Sequence, residues 1–344
     1  MGTEPRDAVP ILGQAPAFMA MLEHVSQAAP LSRPVLVMGE RGTGKELIAS
    51  RLHFLSDRWD KPLVKVNCAA LTETLLDTEL FGHEAGAFTG ATRRHIGHFE
   101  NAAEGTLILD ELGTVSPRMQ EKILRVIEYG EFRRVGGSQT LMTNARVIGV
   151  TNEDLPELAR RGEFRADLLD RLAFDVIHVP PLRERAEDIP ALAFHFGVSI
   201  TSELKRPYFS GFSPEAQAML ITHAWPGNVR ELKNAVERSV YRTPDPEASL
   251  EKIVFDPFAP PYGTSAALPV TATEPRESSG PSASEMPSLP IDFKGAVRAF
   301  ECGLVRSALE RAQHNQRVTA DLLGLSYHQL RGLLRKHGAT LDRA

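Results

Sequence analysis

The sequence predicts an α/β protein: a parallel sheet with a helical subdomain packed on it, then a linker and a small all-α unit. Three observations carry that expectation. Short apolar runs alternate with helix-like stretches through the first half. A glycine-rich turn joins the first apolar run to the first helical stretch. A segment rich in Pro, Ser, Thr and Ala separates this body from a final run of helical periodicity.

The strands come first. PVLVM (34–38), LVKVN (63–67), TLILD (106–110), ARVIGV (145–150) and FDVIHV (174–179) are nearly continuous apolar runs. A sheet covered on both faces requires such runs, since neither face meets water. Between them KELIASRLHFLS and SPRMQEKILRVIEYG have helical spacing, the second with Ser116 as N-cap and Pro117 at the first helical position. After Pro181 the pattern is helical throughout, in EDIPALAFHFGVSITSEL, SPEAQAMLITHA and NVRELKNAVERSVYR. Residues 9–180 and 181–255 are therefore expected to form a sheet subdomain and a helical one. Residues 256–290 have little to bury and read as a flexible linker, and 291–344 as a separate helical domain.

Composition narrows the classes. The chain has 344 residues, 42% of them hydrophobic and 24% charged, as in ordinary soluble domains. No apolar run is long enough to span a bilayer, and MGTEPRDAVP lacks the profile of a signal peptide. Two cysteines far apart, Cys68 and Cys302, imply no disulfide framework, so a reducing cytoplasm is expected. The net charge of −5 is uneven: from Ile291 onward nine Lys/Arg face five Asp/Glu, a net of +4, which leaves −9 on the rest. Nucleic acid, if bound, is expected at the basic tail.

GERGTGKE directly follows the first strand and fits the phosphate-binding pattern G-x-x-x-x-G-K. Gly39, Glu40, Arg41, Gly42, Thr43 and Gly44 would turn backbone N–H groups around phosphate, and Lys45 would reach the β- and γ-phosphates. Glu46 stands where the general pattern has the Ser or Thr that ligates Mg²⁺. TLILDE ends on Asp110 and Glu111, suited to holding the metal and polarising the attacking water. Asn67 ends a strand where it can hydrogen-bond Glu111 if the strands are adjacent; Thr151 and Asn152 end another, near a γ-phosphate. Each of these three polar residues fits a simple loop cap as well. Arg165 and Arg171 are either surface ion-pair residues or arginines that reach a neighbour's γ-phosphate. Arg230, just after a Pro-Gly break, is placed to touch nucleotide from the helical subdomain. GAFTGA, Gly86-Ala87-Phe88-Thr89-Gly90-Ala91, is either a tight turn with Phe88 packed inward or a loop that presents it.

Together GERGTGKE, ELFGHEAGAFTGA, GTLILDEL, FRADLLDRL and WPGNVREL, in that order, resemble the AAA+ ATPase domain of bacterial sigma-54-dependent activators, over roughly residues 9–255. Glu46 departs from the general loop formula but not from that family's version of it. The resemblance implies an AAA+ P-loop fold with a helical lid, and ATP with Mg²⁺ at Lys45, Asp110 and Glu111. It implies Asn67 restraining Glu111, Thr151 and Asn152 sensing γ-phosphate, Arg165 and Arg171 acting in trans, and Arg230 as second sensor. It further implies a ring, typically a hexamer, whose Gly86–Ala91 loops rise to engage the sigma-54 RNA polymerase holoenzyme. A general AAA+ motor is argued against by GAFTGA, and a non-hydrolysing scaffold by intact Lys45, Asp110, Glu111 and Arg165.

NQRVTADLLGLSYHQLRGLLRKHG reads as helix, turn at 324–326, helix, with Val318, Leu322, Leu323, Leu325, Leu330, Leu333 and Leu334 as its core. Tyr327, His328, Gln329 and Arg331 open the second helix, where base-reading side chains stand, and Arg335 and Lys336 suit phosphates. The segment resembles the Fis-type helix-turn-helix that ends these activators and would bind enhancer DNA; an oligomerisation hairpin is the alternative. The helix from about Phe293 to Ala312 would supply a dimer face. The ATPase pattern begins by about Val9, leaving no room for the regulatory domain many members carry. The resemblance, to members without such a domain, then implies control by an inhibitory protein acting in trans, with Trp59 in SDRWDKP as its docking point or else half-packed under a loop.

Overall fold

The computed structural model describes residues 11–258 except 244 and 246, and, between 303 and 334, residues 303–309, 312, 315–325, 327, 329–332 and 334. The chain divides into two compact units, Met1–Ala259 and Pro260–Ala344.

In the first unit the helix α1 (Pro16–Ala28) precedes β1 (Val35–Met38), α2 (Lys45–Phe54), β2 (Leu63–Asn67), α3 (Glu73–Phe81), α4 (His98–Asn101) and β3 (Thr106–Asp110). Then come α5 (Pro117–Tyr129), β4 (Glu131–Arg133), β5 (Thr140–Met142), β6 (Arg146–Thr151), α6 (Leu155–Arg160), α7 (Ala166–Leu172) and β7 (Val176–His178). The five strands expected from the apolar runs form one parallel sheet in the order β2-β3-β6-β1-β7. Along β3 the side chains alternate between two cores: Leu107 and Leu109 pack on one face with Phe81 and Phe99, and Ile108 on the other with Val35 and Val37. Burial on both faces is why that strand reads as an unbroken apolar run.

Ser116 caps α5 by accepting from the Met119 N–H, Pro117 opens the helix, and Gly130 ends it with φ +71°. The β4–β5 hairpin was not legible in the sequence. Its strands are three residues each and only Phe132 is buried, so no periodic pattern marks it.

A 3₁₀ turn (Leu182–Asp188) leads into the lid helices α8 (Ile189–Glu203), α9 (Pro214–Thr222) and α10 (Asn228–Arg242). Their core holds Leu192, Leu220, Leu232 and Val236 around Trp225, whose Nε1 donates to the Leu220 carbonyl at 2.8 Å. Burying an indole with its N–H satisfied fixes the break between α9 and α10.

In the second unit a helix spans Gln316–Leu322, residues 303–309 are helical, and Gly324 turns the chain with φ +65°. Val305, Ala320 and Leu330 form the core, with Leu309, Leu323 and Leu334 against it. Val318, expected inside, is 44% exposed. Thr319 and Ala320 face inward on the same helix, and Val318, two positions from Ala320, is rotated to the far side. Val305 takes up the core volume from the preceding helical stretch, the one expected to offer a dimer face. Leu304 beside it is half exposed.

Candidate functional site

At the end of β1 the chain runs into Gly39–Gly44, and α2 starts at Lys45. The Lys45 ammonium lies across the loop, donating to the Gly39 and Glu40 carbonyls at 2.8 Å each. It is partly buried, and that burial pulls its pKa down, with the Asp110 and Glu111 charges acting the other way. The loop opens into a cleft of about 520 Å³. Arg41 to Ile48, Asp110, Glu111, Asn152, Arg185 and Arg230 line it, together with the apolar Leu12, Phe18 and Val229. A lining that combines loop N–H groups and cations with apolar side chains suits a nucleotide's phosphates and base.

Asp110 is the last residue of β3. Burial raises its pKa, reinforced by Glu111 and Glu46 and opposed by the Glu111 N–H, which donates to Oδ1 at 3.0 Å, and by Lys45. Glu111 takes a left-handed backbone, φ +54° and ψ +41°, unusual for a residue with a Cβ. That turn swings its side chain off the strand direction and into the cleft beside Asp110. Mg²⁺ uses one or two carboxylates with phosphate oxygens and water, so an Asp at a strand end opposite a phosphate loop fits it. Among the described residues no cluster of three or more His, Cys, Asp or Glu could hold a metal by itself.

Two expectations at strand ends need correction. β2 and β3 are adjacent, but Asn67 is in register with Asp110, and its Nδ2 donates to Asp110 Oδ2 at 3.4 Å rather than to Glu111. Parallel pairing puts 67 and 110 side by side, while the left-handed turn carries Glu111 away. Asn67 Oδ1 also accepts from the Ala69 and Ala70 N–H groups, so the cap role is real as well. Thr151 is fully buried, its Oγ1 accepting from the Glu153 N–H, and does not line the cleft; Asn152 does.

Gly39 and Glu40 also stand outside the lining. The Glu46 carboxylate accepts from Lys65 at 2.9 Å. Arg230 lies in the first turn of α10 and on the cleft wall. Arg165 and Arg171 do not touch the cleft. Both are exposed, Arg165 paired with Asp167 at 2.7 Å and Arg171 with Glu128 at 2.8 Å. Arg183, Arg185 and Asn228, none singled out from the sequence, donate to the phosphate loop, Arg185 from the cleft wall and the other two from outside the lining.

The Gly86–Ala91 segment closes on itself, the Gly86 N–H donating to Ala91 O at 2.7 Å and the Ala91 N–H to Phe88 O at 3.0 Å. Gly86 and Gly90 have φ +82° and +103°, so a side chain at either is strained. Phe88 is 46% exposed, its ring edge-on to His83 at 5.0 Å, and Thr89 is exposed beside it. The root of the loop is anchored where the tip is not. Glu84 N–H donates to Val135 O, and buried Arg134 pairs with Glu84 at 2.7 Å and Glu100 at 2.6 Å. Trp59 is 66% exposed.

In the second unit Tyr327, Gln329 and Arg331 are exposed on the helical segment after Gly324. His328, Arg335 and Lys336 lie outside the described residues.

Against known families, residues 11–178 match the sigma-54 interaction domain, 183–257 the AAA+ ATPase lid domain, and 296–337 the Fis-family bacterial regulatory protein. The Psp operon transcriptional activator of Escherichia coli (strain K12) is 53% identical over 329 residues, 95% of this chain and 97% of that one. The chain belongs to the sigma-54-dependent transcriptional activators. The regulatory protein ZraR of Klebsiella oxytoca is 51% identical over 230 residues, and the chain spans 52% of its length. NtrX from Brucella abortus, solved in complex with ATP, superimposes with a TM-score of 0.66 at 30% identity, over 96% of this chain and 70% of that one. The fold is thus an AAA+ sigma-54 activation domain with parallel sheet, helical lid and C-terminal helix-turn-helix. Among the described residues no helix is long and apolar enough to cross a membrane.

Proposed function

We propose that this sigma-54-dependent activator hydrolyses ATP to remodel the closed promoter complex of the sigma-54 RNA polymerase holoenzyme, from enhancer DNA held by its C-terminal unit. The observation that carries it is one cleft lined by Lys45, Asp110, Glu111, Asn152 and Arg230. Lys45 and the amides of residues 42–45 bind the β- and γ-phosphates. Asp110 would hold Mg²⁺, which would supply neutralisation of phosphate charge. Glu111 orients the attacking water and takes its proton as the bond to the leaving ADP oxygen breaks. Asn67 steadies the acid pair through Asp110, and Asn152 reads the γ-phosphate with Thr151 as its buried support.

Arg165 and Arg171 sit on an exposed face of their own subunit, which suits arginines that complete a neighbour's site in a ring, most simply a hexamer. Phe88 and Thr89 at the loop tip engage sigma-54. Residues 9–180 and 181–255 act as one motor, 256–290 as linker and 291–344 as the DNA-binding domain. Similarity to the Psp operon activator over nearly its whole length supports action at a phage-shock (membrane stress) operon, in the cytoplasm. An inhibitory protein acting in trans would dock at Trp59, whose exposure is what suits it to that role.

The test is open-complex formation by sigma-54 polymerase on an enhancer-bearing promoter. ATP and this chain together are expected to open it, and ADP or a chain with Lys45→Ala to fail. No opening by the wild-type chain with ATP, while it hydrolyses ATP, would favour a motor on another substrate.

A further inference from the structure

The phosphate loop is also held by a row of hydrogen bonds that the nucleotide reading alone does not use, from Arg183 and Asn228 outside the cleft lining and from Arg185 and Arg230 on it. Arg183 grips the Glu40 carboxylate with both Nη groups, Nη1 to Oε2 at 2.8 Å and Nη2 to Oε1 at 2.6 Å. Asn228 Nδ2 donates to the same Oε2 at 3.1 Å and to the Arg41 carbonyl at 3.0 Å. The Arg230 N–H donates to the Gly42 carbonyl at 3.3 Å, and Arg185 Nη2 to the Thr43 carbonyl at 3.0 Å. One side chain and three successive carbonyls of the loop are thus held by donors from the lid and its leading turn.

Two of the donors are themselves fixed, while Arg183 is half exposed. Asn228 is fully buried with its Oδ1 accepting from the Leu182 N–H at 2.7 Å. Arg185 is 3% exposed and stacked over the Phe18 ring at 4.5 Å. The approach leaves no slack: a Cβ on Gly42 would lie 2.3 Å from the Gly227 carbonyl. In a trans peptide the C=O and the following N–H point to opposite sides. Holding the carbonyls of 41–43 on these donors therefore turns the N–H groups of 42–44 the opposite way and leaves them for phosphate oxygens.

We propose that Arg183 and Asn228, outside the cleft lining, and Arg185 on it are positioning residues that shape the phosphate loop, and that Glu40 is the anchor of the first two on the loop rather than a nucleotide ligand. The inference rests on the nucleotide reading of the cleft. It makes the loop and the lid one mechanical element: the lid cannot swing without drawing on the amides that face phosphate, so nucleotide affinity and lid orientation are linked. The Arg183 and Asn228 hydrogen bonds hold the Glu40 carboxyl at a pKa of about 2, so the clamp stays charged through the physiological range.

Equilibrium binding of a fluorescent ADP to the full-length chain tests this with Glu40→Gln, Arg183→Ala and the double variant. Each single change is expected to weaken binding about tenfold. The double variant is expected to bind no more weakly than the weaker single, because both remove one interaction. With ATP, Arg183→Ala is expected to raise KM by a similar factor at nearly unchanged kcat, a split that general loosening of the fold would not produce. Glu40→Gln keeps the shape of the side chain and carries the test if Arg183→Ala fails to fold. Wild-type affinity in both singles, or losses that multiply in the double, would overturn the clamp. A wild-type chain that does not bind ADP would instead remove the nucleotide reading beneath it.

Discussion

Asn67 and Asp110 stand side by side at the ends of adjacent parallel strands, the amide Nδ2 3.4 Å from the carboxylate Oδ2. The same Asn caps the turn that follows it, so it ties a strand end, a turn and an acid together. Asn67→Ala is expected to lower ATP turnover by about tenfold while leaving ADP affinity unchanged, in line with losses at residues that orient metal-site carboxylates. Phosphate release and nucleotide titration measure the two. Unchanged turnover would leave Asn67 a cap and nothing more.

Burial raises the Asp110 pKa, so the native state binds that proton more readily than the unfolded chain does. A carboxylate shifted upward lends stability below its unfolded pKa and loses it as pH rises through the folded value. At neutral pH the ionised Asp110 is therefore a destabilising element kept for function. Asp110→Asn is expected to abolish hydrolysis yet raise the melting temperature of the nucleotide-free protein at pH 7. The gain should shrink as pH falls toward 4, and thermal melts at several pH values decide it.

Phe88 is half exposed at the tip of a loop whose root is pinned by Arg134. Phe88→Ala is expected to leave ATP hydrolysis within about twofold and melting unchanged, since surface truncations cost little stability. Sigma-54 binding with a transition-state analogue of ATP hydrolysis should be lost. A drop in melting temperature with sigma-54 binding intact would return Phe88 to a packing role.

Arg165 and Arg171 are far from completing the cleft of their own chain. Arg165→Ala alone and Glu111→Gln alone should each be inactive. Equal mixtures should recover activity at about a quarter of subunit interfaces, those pairing an intact acid with a neighbour's intact arginine. No recovery on mixing would place Arg165 in cis or in an ion pair only.

Arg146 is fully buried and donates to the carbonyls of Ala28, Ala29 and Arg33, closing the C-terminal end of α1 against β6. Arg146→Met fills the space but leaves the Ala29 and Arg33 carbonyls without the guanidinium donors and Ala28 with only the Leu31 N–H. A loss of about 3 kcal/mol is expected in urea unfolding.

Much of this was legible in the sequence because it is local. A β–loop–α join with G-x-x-x-x-G-K, the Ser116-Pro117 cap and apolar runs of strand length each declare themselves within a dozen residues. The Phe88 loop, too, is announced by its glycines. What escaped was direction and distance. The loop pattern marks the backbone path but not that Glu40 points away from the cleft, and the strand pattern puts Thr151 at the tip but not inside. Arg183 meets Glu40 across 143 residues of chain and Arg185 meets Thr43 across 142, separations no short motif encodes. Asn67 was paired with the wrong acid because only the register and the left-handed Glu111 decide between neighbours.

The Lys45 ammonium already has two acceptors within its own loop, the carbonyls of Gly39 and Glu40. One side chain at the start of α2 thus fastens the end of the loop back onto its beginning. A change at Lys45 would alter the curl of the loop as well as its charge.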